Sequence, residues 1–137
     1  MTTTTIEEGL GILFNATAGI TSLVSTRIYG QRVKQGSTFP CITKQRISTP
    51  RVHTHDMSGA TGTLAHPRFQ IDAWGTTEAS AKAVTDAIRA ALNGKTGSLG
   101  TGAITIRAAL VQEEVPDYEP ETDLYRSRSE YEIWQEE

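Results

Sequence analysis

The sequence predicts a two-layer α+β domain: a four-stranded, mainly antiparallel sheet with two helices packed on one face. Three observations carry this reading. Apolar residues recur at helical spacing in two separate stretches, around 6–14 and 78–92. Four other stretches alternate polar and apolar residues at the two-residue period of a strand. The resulting order (helix, strand, strand, helix, strand, strand) forms two antiparallel hairpins and leaves both helices able to cover one sheet face.

The first helix rests on Ile6, Leu10, Leu13 and Phe14, with Thr4 or Thr5 as cap and Glu7 and Glu8 at the positive end of its dipole. Gly9 and Gly11 weaken it, so its stability has to come from packing. Leu23-Val24 and Ile28-Tyr29 bracket Arg27 ahead of Gly30. Phe39-Pro40 opens the first long strand, Cys41–Ser48, with Cys41, Thr43, Gln45 and Ile47 on one side and Ile42, Lys44 and Arg46 on the other. Residues 49–63 are polar and glycine-containing and read as a long hairpin loop. The chain returns as a strand over 64–74, with Phe69, Ile71 and Ala73 inward and Pro67 near its start, a bulge or an edge.

Glu78–Leu92 is the clearest helix. Ala81, Val84, Ile88, Ala91 and Leu92 form its stripe, Thr76 or Thr77 caps it, and Gly94 sits where a left-handed residue ends a helix. A strand follows over 103–111, with Ile104, Ile106, Ala108 and Leu110 inward. Pro116 and Pro120 break the acidic run that follows, so 113–123 reads as a second long hairpin loop. The last strand covers 124–134, with Tyr131 and Ile133 facing the core. One domain spans 1–137.

Composition narrows the function. The chain has 137 residues, a formal charge of −3 and 37% hydrophobic residues, and its 20 threonines favour strands and loops. No apolar run approaches the roughly 18–20 residues of a membrane span. The N-terminus lacks the basic start and apolar stretch of a signal peptide, so secretion is not expected. A single cysteine, Cys41, leaves no intramolecular disulfide and no cysteine-rich zinc site. The acidic balance argues against direct nucleic-acid binding, because Arg107, Arg126 and Arg128 are offset by Glu130 and Glu132.

Enzyme signatures fail one by one. Gly94-Lys95-Thr96 resembles the end of a phosphate-binding loop, but Arg89 stands where the motif needs glycine, and a helix rather than a strand precedes it. His53, His55 and Asp56, with His66, offer imidazoles and a carboxylate for a metal without an evident rigid scaffold. Cys41 has no adjacent base, and no Gly-x-Ser-x-Gly elbow occurs. No cofactor is implied.

The sheet face turned from the helices is the informative one. Alternation places Lys44, Arg46, Arg68, Gln70, Asp72, Arg107, Arg128, Glu130 and Glu132 there, and nothing in the chain is left to cover them. Charge is also split along the chain: residues 1–60 sum to +3 and residues 61–137 to −6. Such asymmetry suits a subunit that must choose its orientation against copies of itself.

Several segments, in order, carry a family resemblance. They are Leu23-Val-Ser-Thr-Arg-Ile-Tyr29, Gln35-Gly36 and Phe39-Pro40, then Phe69-Gln-Ile-Asp-Ala-Trp74, Thr77-Glu-Ala-Ser-Ala-Lys-Ala-Val84 and Tyr131-Glu-Ile-Trp134. The chain resembles the tail completion, or tail terminator, proteins of long-tailed bacteriophages and prophages. One departure is Lys34, where the pattern has proline.

The resemblance implies a non-enzymatic virion protein, assembled in the bacterial cytoplasm. It would cap the head-proximal end of the tail tube, stop polymerisation and offer the joining surface for the head. The implied partners are the chain itself (a homo-hexameric ring, with a monomer before assembly), the tail tube protein and the head connector or neck protein. As interface residues it points to Arg51, His53, His55 and Met57 in the 49–63 loop, and to Arg68, Arg107, Arg126, Arg128, Glu130 and Glu132 on the uncovered face. The alternative readings are another head–tail joining subunit, of the neck or adaptor kind, and a small ligand- or metal-binding enzyme domain built on the histidines.

Overall fold

Thr5 begins the first helix: its Oγ1 accepts from the Glu8 N–H at 3.2 Å, satisfying one of the donors a helix start leaves free. Helix α1 (Ile6–Ala16) buries Ile6, Leu10 and Phe14, a one-sided i, i+4, i+8 stripe. A second helix, α2 (Ala18–Val24), follows after the single residue Thr17 and buries Ile20 and Val24. Helix α3 (Glu78–Leu92) has a capping box in which Thr77 Oγ1 accepts from Ser80 N at 3.1 Å and Ser80 Oγ accepts from Thr77 N at 3.4 Å. It ends at Asn93, and Gly94 takes φ +82°. The structure is a computed structural model that describes residues 5–49, 51–52, 64–99 and 104–136.

The strands are β1 (Ile28–Gly30), β2 (Cys41–Ser48), β3 (Arg51–Val52), β4 (Leu64–Ala65), β5 (Arg68–Gly75), β6 (Gly97–Leu99), β7 (Ile104–Glu119) and β8 (Leu124–Glu136). They form one mixed sheet. β1 runs parallel to β2; every other pairing is antiparallel. The order across the sheet is β1-β2-β5-β8-β7, with β6 on the far side of β7. The short pair β3 and β4 continues the sheet beyond the ends of β2 and β5, where β4 also pairs with β8. Pro67 separates β4 from β5, and its carbonyl still accepts from Ile133 N at 3.0 Å.

The three helices form one layer against the sheet. Between the layers lies a continuous core in which Phe14, Leu10, Phe69, Ile71, Val84, Ile88, Ile106, Tyr131 and Ile133 are all but fully buried. Truncating any of the large aliphatic members to alanine would cost about 2–5 kcal/mol.

The architecture is α+β, as the sequence predicts, but four expectations need correction. Among the described residues the sheet has eight strand segments rather than four, with three helices rather than two. The expected loop at 113–123 shrinks to a tip at 120–123, because Glu113 through Glu119 pair with Glu130 through Leu124. Pro116 misled here: beyond Ile106 the outer side of β7 pairs with no strand among the described residues, and an edge strand tolerates proline. Bulges at Arg107 and Gln112 shift the alternation, so Ala109 is buried while Leu110 is 42% exposed. Finally, Lys44 and Arg46 lie on the helix side, across from Ile71 and Phe69, where Arg46 reaches Glu7 of α1. The expected 49–63 loop falls largely outside the described residues.

Candidate functional site: the open sheet face

The face away from the helices is built by register. Arg68 stands opposite Glu132, Gln70 opposite Glu130, Asp72 opposite Arg128, and Trp74 opposite Arg126, while the residues between them point into the core. β2 adds Thr43 beside Asp72 and Cys41 beside Trp74. β7 adds Leu110 beside Glu132 and Asp117 beside Arg126.

These side chains pair among themselves. The Arg126 guanidinium carbon lies 5.4 Å from the centre of the Trp74 ring, its Nη2 donates to Asp117 Oδ2 at 2.7 Å, and its Nη1 is 3.4 Å from Glu119 Oε1. Trp74 Nε1 donates to Thr43 Oγ1 at 3.1 Å. Arg68 and Glu130 approach to 3.5 Å. His66 stacks on Trp134 with ring centres 4.3 Å apart, its Nδ1 3.2 Å from Glu132 Oε1. The result is a polar surface ordered by its own side-chain contacts, with Cys41, Thr43 and Asp72 buried beneath their neighbours.

Burial raises the proton affinity of two groups here. Burial pushes the Asp72 carboxyl upward, against the Gln70 hydrogen bonds and the charges of Arg126 and Arg128. Burial likewise pushes the Cys41 thiol up to about 11, opposed by a hydrogen bond with Ser37 and the charge of Arg27. A thiol so protonated is a weak nucleophile.

Of the residues expected at an interface, Arg68, Arg126, Arg128, Glu130 and Glu132 come together on this face. Arg107 sits exposed at the β7 bulge. Arg51 belongs to β3, opposite Ala65, and His53, His55 and Met57 lie outside the described residues. Among the described residues, no three His, Cys, Asp or Glu side chains converge in a way that would hold a metal ion.

Sequence reasoning missed two features. One is the aromatic pairing of the face, Trp74 with Arg126 and Trp134 with His66. The other is a groove of about 580 Å³ between α3 and the distal part of the β7–β8 hairpin, lined by Ala81, Thr85, Pro116, Tyr118 and Tyr125 with Glu78 among the charged residues. The alternation within 113–119 was the available signal for the second, obscured by its two neighbouring prolines.

The sheet edges are also informative. Along β7, Ala109 O accepts from Gly94 N at 2.6 Å, and Val111 N donates to Asn93 Oδ1 at 3.0 Å. Pro116 has no N–H, and Tyr118 N donates to Asp117 Oδ1 at 2.9 Å. Along β1, Ile28 N donates to Thr26 O and Gly30 O accepts from Arg32 N. Both edges thus have some of their backbone groups engaged, which discourages strand addition at those points.

The chain belongs to the tail completion protein gp17 family, whose model matches residues 12–136. It is a structural protein of the bacteriophage tail. A chain from a solved structure, the virion of native gene transfer agent (GTA) particle, has a similar fold: TM-score 0.67 at 21% identity, covering 96% of this chain and 92% of that one. No curated protein matches.

Proposed function

We propose that this chain closes the head-proximal end of the tail tube as a ring of identical subunits, ending polymerisation and leaving a surface for the head to join. The observation that carries this is the uncovered polar face, held in fixed register. Such a subunit meets its neighbours through side chains on faces and loops rather than by extending a sheet. A terminator must fit the tube end on one side and fail to reproduce that end on the other, so that the next ring finds no match.

In this reading Arg68, Arg107, Arg126, Arg128, Glu130 and Glu132 face neighbouring copies or the central channel. Arg51, His53, His55 and Met57, in the 49–63 segment, dock on the tube, because long loops on a rigid sheet carry recognition. The protein acts by shape and charge and transforms no molecule. Family membership supports this.

The test is to polymerise tail tube protein with increasing amounts of this chain. Mean tube length should fall as the ratio rises, with the chain found at one end. Tube lengths independent of the ratio, with the chain instead retained by the head portal, would favour a neck or adaptor role.

A further inference from the structure

The two sides of the sheet carry opposite charge. From Gly9 to His55 the sequence has no acidic residue and six basic ones; from Glu113 to Glu137 it has ten acidic residues against Arg126 and Arg128 alone. The topology puts the first stretch at β1 and β2 and the second at β8 and β7, on opposite sides. Each side also keeps charges with no internal partner. Arg32 and Lys34 are exposed beside β1, Glu78, Glu113 and Glu121 are exposed on the other side, and none of these forms an ion pair among the described residues.

The segment after β1 is a built turn: Tyr29 Oη and Ser37 Oγ lie 2.9 Å apart, Ser37 N donates to Lys34 O at 3.1 Å, and Gly36 takes φ +80°. It presents Val33 between Arg32 and Lys34. The groove beside β7 has an apolar lining of Ala81, Pro116, Tyr118 and Tyr125, and its charged residues are four acids, Glu78 among them, against Lys82 and Arg126. The two tyrosine rings are 4.9 Å apart. Thr85, only 3% exposed, lines the groove with an Oγ1 that has no hydrogen-bond partner. A buried hydroxyl left this way has an unmet bond to offer.

We infer that the 31–38 turn of one copy seats in the α3/β7–β8 groove of the next, Val33 against the tyrosines and Arg32 and Lys34 against Glu78 and the acidic hairpin that borders it. This rests on the ring reading above and assigns the surfaces that make the ring. The contact is head-to-tail, the kind that builds a ring when its rotation closes. Opposite charges at the two ends fix the orientation and forbid like ends from meeting.

The experiment uses two surface variants of the full chain. Arg32→Glu with Lys34→Glu reverses the unpaired charges of the turn; Glu78→Lys with Glu113→Lys and Glu121→Lys reverses the unpaired charges on the groove side. Circular dichroism and thermal melting confirm that each folds. Assembly is read by sedimentation velocity at low ionic strength and by crosslinking on tail tube ends. Each variant alone should associate at least roughly 100-fold more weakly than the parent. An equimolar mixture should recover assembly, because acidic and basic copies alternate around the ring. If folded variants assemble like the parent, or the mixture stays dispersed, the assignment is overturned while the ring reading stands. If the parent chain forms no ring even on tube ends, the ring reading fails and this inference fails with it.

Discussion

Arg46 joins the two layers of the fold: its Nη2 meets Glu7 Oε1 of α1 at 2.6 Å, while its guanidinium carbon lies 5.2 Å from the centre of the Phe69 ring. The alkyl stem runs between helix and sheet, and the head emerges at the margin of α1, with a third of the side chain still exposed. Because the ion pair is partly solvated, its electrostatic share is small and the packing share larger. Arg46→Ala should therefore cost about 1–2 kcal/mol, from lost stem packing and the contact with the ring, and Glu7→Gln less than about 1. Urea titration checks both; equal losses would show that the ion pair dominates.

Gly75 ends β5 where α3 begins. A Cβ there would stand 2.2 Å from Ser80 Oγ and 2.9 Å from the Ala81 backbone nitrogen. Gly75→Ala should cost about 1–3 kcal/mol by forcing the helix start away from the sheet. Adding Ser80→Ala removes the side-chain clash and leaves the backbone one, so the double variant should recover only part of the loss in thermal melts.

Asp72 gives a pH signature on the open face. Its carboxyl is pushed above the ordinary value of 3.8 by burial, so its ionisation opposes folding. Below the unfolded value both states are protonated and there is no penalty; the penalty grows as pH rises through the folded value. Asp72→Asn should thus be more stable than the parent at neutral pH, with the advantage fading as pH falls towards 3.8. Chemical denaturation across that window checks the sign, and a parent chain more stable at neutral pH would reverse it.

Cys41 is fully buried, with its thiol pushed up to about 11. Ellman's reagent should label the native chain slowly at neutral pH and completely once denaturant is added. Immediate labelling of the folded protein would mean that the start of β2 is accessible.

The sequence disclosed the parts of this fold whose signals are local. Thr77, the stripe from Ala81 to Leu92 and Gly94 delimit α3 because caps and periodicity act within a few residues. Cys41–Ser48 was equally plain as a strand, yet its polarity misassigned the faces: Lys44 and Arg46 are charged but reach past the margin of the helix layer from the inner side. Helix α2 was hidden because Gly19, Thr21 and Ser22 are weak helix formers and packing through Ile20 and Val24 decides it. Leu110 was placed inward because a bulge at Arg107 has no composition of its own. The open face was largely legible from alternation in β5 and β8, whereas the groove depends on the meeting of α3 with a distant hairpin.

The most direct measurement is cryo-electron microscopy of tail tubes assembled with this chain, reconstructing the tube ends. The account predicts a closed ring of this chain at one end only, with adjacent copies related by rotation and no tube subunit beyond it. Chain density spread along the tube, or ends indistinguishable from those of tubes grown without it, would contradict the account.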